Sequence, residues 1–235
     1  MELGQLRLLR YLRTYYKSFK RLFLFSLTDG ILMIIMSHEI HSTIGIIMNI
    51  FPEGEESVIA ECITADLGRI YVHIQGAKKI QNKHRMMVNL FGFVMIDCVE
   101  GKHYYRCTGI SEWKPVYKLL SGFPKHRKML IRQSFSMVQK LVPSGIAIPE
   151  VFSAYETYVT HMLNREVTDE NARILTLVVQ LRILGILGYW NSDWTDDVLS
   201  IGGKTFEYVV KNQKSIEKLI ERILIDTQMH HKVEV

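Results

Sequence analysis

Residues 56–76 read ESVIAECITADLGRIYVHIQG, and this stretch decides the fold class. Val, Ile and Tyr are frequent on both sides of Asp66-Leu67-Gly68, and the apolar residues alternate with a period of two. Such alternation is typical of β-strands, and an Asp followed closely by a Gly favours a tight turn. The stretch therefore predicts two strands, Glu56–Ala65 and Gly68–Gly76, joined by a short turn.

Three further runs extend this pattern to both sides. The breaks between the runs carry turn residues, among them Pro52-Glu53-Gly54 and Glu100-Gly101. Five short strands with tight turns predict a small closed or partly open barrel. The five-stranded OB-fold is the leading candidate, and an SH3-like barrel is the alternative. The three further runs are His41–Phe51, Met86–Val99 and His103–Ser111.

After Trp113 the apolar residues recur at helical spacing, which predicts a bundle of helices. Proline at the start of three of the helices and a capping residue, Thr168, before a fourth support these boundaries. The predicted fold class is therefore α+β, with an extension at 1–36, an OB-fold domain at 37–112 and an α-helical bundle domain at 113–235. The predicted helices are Pro115–Leu120, Pro124–Val142, Pro149–Leu163, Asp169–Leu187 and Thr205–Gln228.

The first 36 residues differ in composition from the rest. A basic amphipathic stretch, residues 1–21, precedes an apolar run at 22–36 that Thr28, Asp29 and Gly30 interrupt. A spanning helix needs about 20 apolar residues, and no small-x-small cleavage site follows the run. Three interpretations stay open: a signal or anchor, an added helix that packs on the body, or an upstream extension of a chain that starts at Met36.

Composition and charge exclude several classes of protein. Of 235 residues, 48% are hydrophobic and 23% are charged, which excludes a disordered chain. The formal net charge of +5 hides an uneven distribution, because residues 69–132 hold thirteen Lys and Arg against three acids, whereas residues 37–68 hold six acids and no Lys or Arg. A densely basic segment attracts polyanions. Three Cys without a C-x-x-C pair indicate a reducing compartment.

Two clusters within the basic segment are the candidate DNA-binding sites. The first is the basic loop, residues 76–85, to which Arg69 adds charge from the start of the preceding strand. The second lies in the first turns of the predicted helix 124–142, and next to the loop it can extend the same binding surface. Lys and Arg neutralise phosphates and release counterions, so binding should weaken steeply with salt. The candidate residues are Arg69, Lys78, Lys79, Lys83 and Arg85, followed by Lys125, Arg127, Lys128 and Arg132.

Single strands also need flat rings on which bases can stack. Tyr71 and His73 fall on one face of a predicted strand, whereas Tyr104 and Tyr105 fall on opposite faces of another. We expect one ring of each pair to belong to the core and the other to be available for stacking.

Two segments of the sequence match motifs of catalysis or metal binding in part, and neither motif is complete. His38-Glu39-Ile40-His41 has the wrong spacing for a zinc protease, and Gly202-Gly203-Lys204-Thr205 lacks the first glycine and the preceding strand of a P-loop. No catalytic Ser/His/Asp or Cys/His set has supporting context. We therefore expect a protein that is not an enzyme and that needs no cofactor or metal.

Several short segments, in this order and spacing, resemble the RecO family of recombination mediators over about residues 37–190. Departures from the family pattern are Gln75 in place of Lys, Lys78 in place of Arg, and Asn89-Leu90 in place of Gln-Pro. The segments are Ser42-Thr43-Ile44-Gly45-Ile46-Ile47, Glu55-Glu56-Ser57, Leu67-Gly68-Arg69-Ile70, Gly76-Ala77-Lys78-Lys79, Leu90-Phe91, Pro149-Glu150-Val151-Phe152 and Leu181-Arg182-Ile183-Leu184-Gly185-Ile186-Leu187-Gly188-Tyr189.

The resemblance implies an OB-fold followed by a helical domain that acts without catalysis in DNA repair by homologous recombination. It implies binding of single- and double-stranded DNA, strand annealing, and loading of RecA together with RecR and the C-terminal tail of single-strand-binding protein. It also implies a cytoplasmic, nucleoid-associated protein. Many members carry a four-Cys zinc finger, but residues 190–205 contain no Cys, so no zinc is expected.

Two other functions are open from the sequence. The protein could be a scaffold that docks on anionic lipid through residues 1–36, although a membrane partner is not the favoured interpretation. A barrel that binds RNA or the ribosome is the third possibility, because phosphate contacts alone do not distinguish RNA from DNA.

Overall fold

The structure is a computed structural model that describes residues 22–26, 32–36, 39–79, 84–114, 123–164, 166–189 and 204–230. Lys83, the predicted helix Pro115–Leu120 and the basic stretch 1–21 lie outside the described residues.

The apolar run of the extension forms a β-hairpin. Strand β1 (Leu22–Ser26) pairs antiparallel with β2 (Leu32–Met36), with Leu22 opposite Met36. The described part of the run is therefore extended, and the rest of the extension lies outside the described residues. Among the described residues, no helix is both long and apolar enough to cross a membrane.

Five strands close into a barrel, as the alternating pattern predicts. The order around the barrel is β3-β4-β5-β7-β6. Neighbouring strands are antiparallel except for β5 and β7, which run parallel and pair over Val72–His73 and Tyr105–Arg106. The strands are β3 (Ile40–Glu53), β4 (Ser57–Thr64), β5 (Gly68–Ile74), β6 (Phe93–Val99) and β7 (Tyr105–Lys114).

Two predicted strand boundaries differ from the observed ones by more than two residues. Met86 and Met87 belong to a short helix, α1 (His84–Met87), so the fourth barrel strand begins only at Phe93. The last strand continues to Lys114, two residues past the predicted domain boundary at 112. At the fourth barrel strand an apolar run continues across the change from helix to strand, which alternation alone does not show.

The barrel interior follows from the alternation on β5. Ile70, Val72 and Ile74 are buried inside the barrel, together with residues of the other four strands. Fully burying an aliphatic side chain of this size stabilises the fold by about 1.5–3 kcal/mol. The alternate residues Arg69, Tyr71 and His73 face outward from the barrel and can contact the helices or solvent.

In the described part of the chain after the barrel there are four longer helices, and the starts of the first three agree with the sequence signals. Pro124 precedes the first helix and Pro149 opens the second. Thr168 caps the third, because its Oγ1 accepts a hydrogen bond from the Asn171 backbone N at 3.2 Å. The fourth helix has non-helical dihedral angles at Asn212, which the sequence analysis did not anticipate. The helices are α2 (Lys125–Leu141), α3 (Pro149–Leu163), α4 (Asp169–Ile186) and α5 (Lys204–His230).

A ladder of aromatic rings joins the barrel to the helices. Phe91, in the segment before β6, stacks on Phe135 of α2 with ring centroids 5.9 Å apart, and Phe135 stacks on Tyr155 of α3 at 4.6 Å. Tyr155 meets Tyr158 edge to face at 6.2 Å. Both tyrosine hydroxyls are satisfied, by the Ser134 carbonyl and by Thr176 Oγ1. One hydrophobic core therefore contains residues of the barrel's outer surface and of all four helices.

The segment after α2 covers an edge of β5. Ser144 forms a parallel bridge with Arg69, and the Gly145 N–H donates to the Arg69 carbonyl at 2.8 Å. This approach requires glycine at position 68, where φ is +69° and an added Cβ would lie 2.0 Å from the Ile146 carbonyl oxygen.

Candidate nucleic-acid interface

Arg69, predicted to contact DNA, belongs instead to a joint between the barrel and α2. Its Nη1 lies 3.0 Å from Oε1 of Glu61, and its Nε donates to the Val142 carbonyl at 3.1 Å. The arginine side chain is only 13% exposed and that of Glu61 is 1% exposed. A buried carboxylate needs a paired cation, so these contacts give Arg69 a structural role.

Further donors complete the pairing of Glu61. Its Oε2 accepts from Asn49 Nδ2 at 2.9 Å and from Gln139 Nε2 of α2 at 2.5 Å. The Tyr71 hydroxyl donates to Oε1 at 3.3 Å. Partial burial raises the pKa of Tyr71, and the neighbouring Glu61 carboxylate raises it further. Tyr71 therefore stays a neutral donor at physiological pH, and Glu61 connects β3, β5 and α2 through one side chain.

The described start of the basic loop, residues 76–79, folds against an acidic turn, residues 53–56. Lys79 Nζ lies 2.7 Å from Glu56 Oε2, and Lys78 Nζ donates to the Gly54 carbonyl at 2.8 Å. The Lys78 backbone N–H also donates to the Glu56 carbonyl at 2.9 Å. Both side chains of the Lys79–Glu56 pair are more than half exposed, so the pair adds little stability. Its consequence is electrostatic, because the acidic turn offsets part of the positive potential of the loop.

The remaining candidates in this part of the chain are separate from Arg69. Arg85 is exposed on α1, and no described residue forms an ion pair with it. Arg69 lies at the start of β5 and the loop follows its end, so about 17 Å of strand separates Arg69 from Ile74. Arg69 and the basic loop therefore do not form one cluster.

Arg127 is the second predicted DNA ligand that the structure turns inward. The residue is 7% exposed, and its guanidinium donates to the carbonyls of Met162, Asn164 and Val167 between α3 and α4. Its Nε also lies 3.4 Å from Asp169 Oδ1. Through these hydrogen bonds Arg127 holds the α3–α4 connection against α2.

Three other cations of α2 form an exposed row. Lys125, Arg132 and Lys140 are spaced by seven and eight residues, which places them on one face of the helix. All three are exposed, and no described residue pairs with them. Helix α2 itself contains no acidic residue. We call these residues the α2 row; it is about 22 Å long at 1.5 Å per residue. Lys128, half-buried, lies beside it.

The face of α2 that carries these cations leads to the barrel. Lys128, Arg132 and Gln139 are spaced by four and seven residues, so they project in a similar direction. Gln139 is the residue that donates to Glu61 on β4. The cationic face and the outward surface of β4 and β5 are therefore adjacent at the C-terminal end of α2.

The aromatic candidates divide differently from the expectation. Tyr71 and His73 share a face, as predicted, but both point outward from β5, so neither belongs to the barrel core. His73 Nε2 lies 3.2 Å from Glu53 Oε2 of the acidic turn. Tyr105 packs against the barrel core and Tyr104 is 41% exposed, which agrees with the expectation for that pair. Tyr104 is therefore the ring most open to stacking.

Lys140 is not among the residues predicted to bind DNA, although the sequence contains a signal for it. Residues 113–149 contain seven Lys or Arg and no acidic residue. The basic segment defined above ends at residue 132. It therefore leaves out Lys140, which shares a helix face with Lys125 and Arg132. An uninterrupted absence of acids over a whole helix is a stronger sign of a cationic surface than a local run of lysines.

Nothing among the described residues suggests a metal centre, since no three His, Cys, Asp or Glu side chains there are grouped to hold an ion. In comparisons with known proteins, no family model matches the chain, and no curated protein matches it.

Proposed function

We propose that this protein is a non-catalytic DNA-binding protein that acts as a recombination mediator in DNA repair, as its resemblance to the RecO family implies. The observation that carries the proposal is the α2 row, an exposed set of cations on an acid-free helix whose C-terminal end meets the barrel. Three cations over about 22 Å can follow the phosphates of a nucleic acid strand.

The topology of the barrel supports the OB-fold as the finer description. In an OB-fold the first strand pairs with the second and the fourth, and the third strand runs parallel to the fifth. The order β3-β4-β5-β7-β6 with a parallel β5–β7 pair has the same arrangement. OB-folds bind oligonucleotides on the face of their second and third strands, which here are β4 and β5. Glu61 and Arg69 on that face form the joint with the C-terminal end of α2, so the α2 row lies beside it.

The proposed path of DNA therefore runs along α2 and onto the barrel. The cations of α2 supply affinity that does not depend on sequence. Tyr104 in the β6–β7 turn, which is 41% exposed, supplies a surface for base stacking. Neither component requires a catalytic group.

The proposed partners come from the resemblance. They are RecR and the C-terminal tail of single-strand-binding protein, through which the protein would promote annealing and load RecA in the nucleoid of the cytoplasm. The proposal includes no zinc and no other cofactor.

Fluorescence anisotropy with labelled single-stranded DNA over a range of salt concentrations tests the proposal. The variant Lys125→Glu/Arg132→Glu/Lys140→Glu reverses the α2 row. We expect its affinity to fall about 30-fold at low salt and its salt slope to decrease by about 2, since each lost phosphate contact removes about 0.7. Unchanged affinity of this variant would overturn the proposed interface.

Lys211→Glu/Lys214→Glu/Lys218→Glu is the matched control. It reverses three exposed lysines of α5 and lowers the net charge equally, but Glu217 and Glu221 lie beside these lysines on the same helix. We expect an affinity loss of less than about 3-fold. Equal losses in the two variants would mean that net charge, and not the α2 row, determines binding. Competition with unlabelled RNA of the same length and sequence distinguishes a DNA-binding from an RNA-binding protein.

A further inference from the structure

All three cysteines of the chain are brought together in the barrel. Cys62 on β4 and Cys98 on β6 are fully buried, and Cys107 on β7 is partly exposed. All three are reduced. Cys98 and Cys107 each contribute to raising the pKa of Cys62, which places the thiols within electrostatic reach of one another. Within the described residues they do not form a group that could hold a metal ion, so their proximity needs another explanation.

Two of the cysteines are direct cross-strand neighbours. Cys98 of β6 is the register partner of Cys107 of β7 in an antiparallel pair. Opposite residues in such a pair have Cα atoms about 4.5 or 5.5 Å apart and side chains on the same face. A disulfide needs a Cα separation of about 4.4–6.8 Å, so either kind of pair satisfies it.

The local backbone can adjust to a bond between these two sulfurs. The register of β6 and β7 shifts between Asp97 and Cys98, which marks a bulge or irregularity beside the pair. Joining opposite residues requires their Cβ atoms to approach by about 1 Å, and an irregular ladder absorbs such a shift more easily than a regular one. Cys62 lies on β4, which pairs with β3 and β5, so it is a neighbour of neither cysteine in the ladder.

We propose that Cys98 and Cys107 are a site of reversible disulfide formation, oxidised by a peroxide such as hydrogen peroxide and reduced again by a thiol. This inference does not depend on DNA binding.

The chemistry balances as two thiols and one peroxide giving one disulfide and two waters. Cys107 is the more exposed sulfur, so its thiolate attacks a peroxide oxygen, the O–O bond breaks, and a sulfenic acid and the first water result. The Cys98 thiolate then attacks the Cys107 sulfur, the S–O bond breaks, and the departing hydroxide takes up a proton as the second water. A thiol reductant reverses the bond through a mixed disulfide.

Burial makes this reaction slow at neutral pH. Desolvation, with the nearby Asp97 carboxylate, raises the pKa of the Cys107 thiol to about 11, and desolvation, with Cys107 and Asp97, raises the pKa of Cys98 to about 11. Only about one thiol in ten thousand is then a thiolate at pH 7. The rate of oxidation should therefore rise about tenfold for each pH unit between about 7 and 10.

The bond would fix both ends of the β6–β7 turn. Lys102, His103 and Tyr104 are exposed in this turn, and Glu100 precedes them. Closing the short segment between Cys98 and Cys107 restricts the unfolded chain, so oxidation should also raise the melting temperature.

Tryptic peptide mapping of the full-length protein without reductant tests the proposal. Trypsin cleaves after Lys102 and Arg106, so the peptides that contain Cys98 and Cys107 separate unless a disulfide joins them. After treatment with hydrogen peroxide we expect one crosslinked peptide pair, about 2 Da lighter than the sum of its reduced members, that dithiothreitol separates.

Cys62→Ala is the matched control, because it removes a buried thiol of the same barrel and should leave the crosslink intact. Cys107→Ala should abolish it. The proposal would be overturned by a crosslink through Cys62 in the wild type. Stepwise oxidation of Cys107 to sulfinic or sulfonic acid without any crosslink would overturn it as well, and so would free thiols that persist at pH 9.

Discussion

The two basic segments, β5 with the basic loop and helix α2, contain similar numbers of cations but place them in different electrostatic surroundings. Each segment turns one arginine inward, Arg69 toward Glu61 and Arg127 toward the α3–α4 connection. Lys78 and Lys79 of the loop contact the acidic turn, whereas no described acid pairs with the α2 row. Charge density along the sequence is thus a poor guide to charge density on the surface, because the fold decides which cations receive a partner.

The largest effect should come from the inward arginine of the first segment. Arg69→Leu leaves the buried Glu61 without its cation, and we expect the free energy of unfolding to fall by about 3–5 kcal/mol. Urea denaturation measures it. The double variant Arg69→Leu/Glu61→Gln should recover at least half of the loss, because no unpaired charge remains. A loss below about 1 kcal/mol in the single variant would mean that Arg69 is not a structural cation.

The inward arginine of the second segment should have the next largest effect. Arg127→Leu leaves three carbonyls without a donor, for which we expect a loss of about 2–3 kcal/mol in the free energy of unfolding. Arg132→Leu, on the exposed face of the same helix, should change it by less than about 0.5 kcal/mol. Similar losses of unfolding free energy in the two variants would mean that the inward Arg127 contributes no more to stability than the exposed Arg132.

The outward cations of the first segment should matter less for DNA than the α2 row. Lys78→Glu/Lys79→Glu/Arg85→Glu should lower single-stranded DNA affinity by about 5-fold, because the acidic turn already offsets part of this charge. Conversely, Glu55→Lys/Glu56→Lys should raise the affinity. Fluorescence anisotropy at one low salt concentration compares the DNA affinities of these two variants with that of the α2-row variant. A larger loss from the loop than from α2 would reverse the ranking of the two segments.

The smallest effect concerns Asp169, which pairs with the N-terminal turn of α2. A hydrogen bond from His126 at 2.7 Å, reinforced by Arg127, holds the pKa of Asp169 below its ordinary value of 3.8. A depressed folded pKa contributes stability above the unfolded pKa, and this contribution is lost as pH falls through the folded value. The difference in melting temperature between wild type and Asp169→Asn should be larger at about pH 5 than at about pH 3, because the pKa of Asp169 is lowered in the folded state. A difference that does not change with pH would contradict this pairing.

The fold was more predictable from the sequence than the interface. Alternation placed the five strands, and proline and threonine signals placed the starts of α2, α3 and α4. These features are local, because they depend on spacing and on capping groups within a few residues. Helix α1 and the hairpin of the extension were missed, since apolar runs without clear alternation fit a strand or a helix equally well.

The partners of the cations were not predictable because they are distant along the chain. Gln139 reaches Glu61 across 78 residues and Arg127 reaches Val167 across 40. A residue count in a window cannot contain such pairs. The exception is α2. The absence of acidic residues from this helix is visible in the sequence and identifies Lys140 as part of a cationic surface.

The core that the barrel shares with the helices bears on how the molecule melts. Phe91 and Phe93 are buried against Phe135 and Phe152, so neither half keeps its apolar surface covered when the other is lost. Barrel and helices should therefore unfold together in one cooperative transition. A fragment that ends at Lys114 would expose this surface together with Glu61 and the β5 edge that Ser144 covers. Such a fragment should aggregate unless polar residues replace the uncovered aromatic side chains.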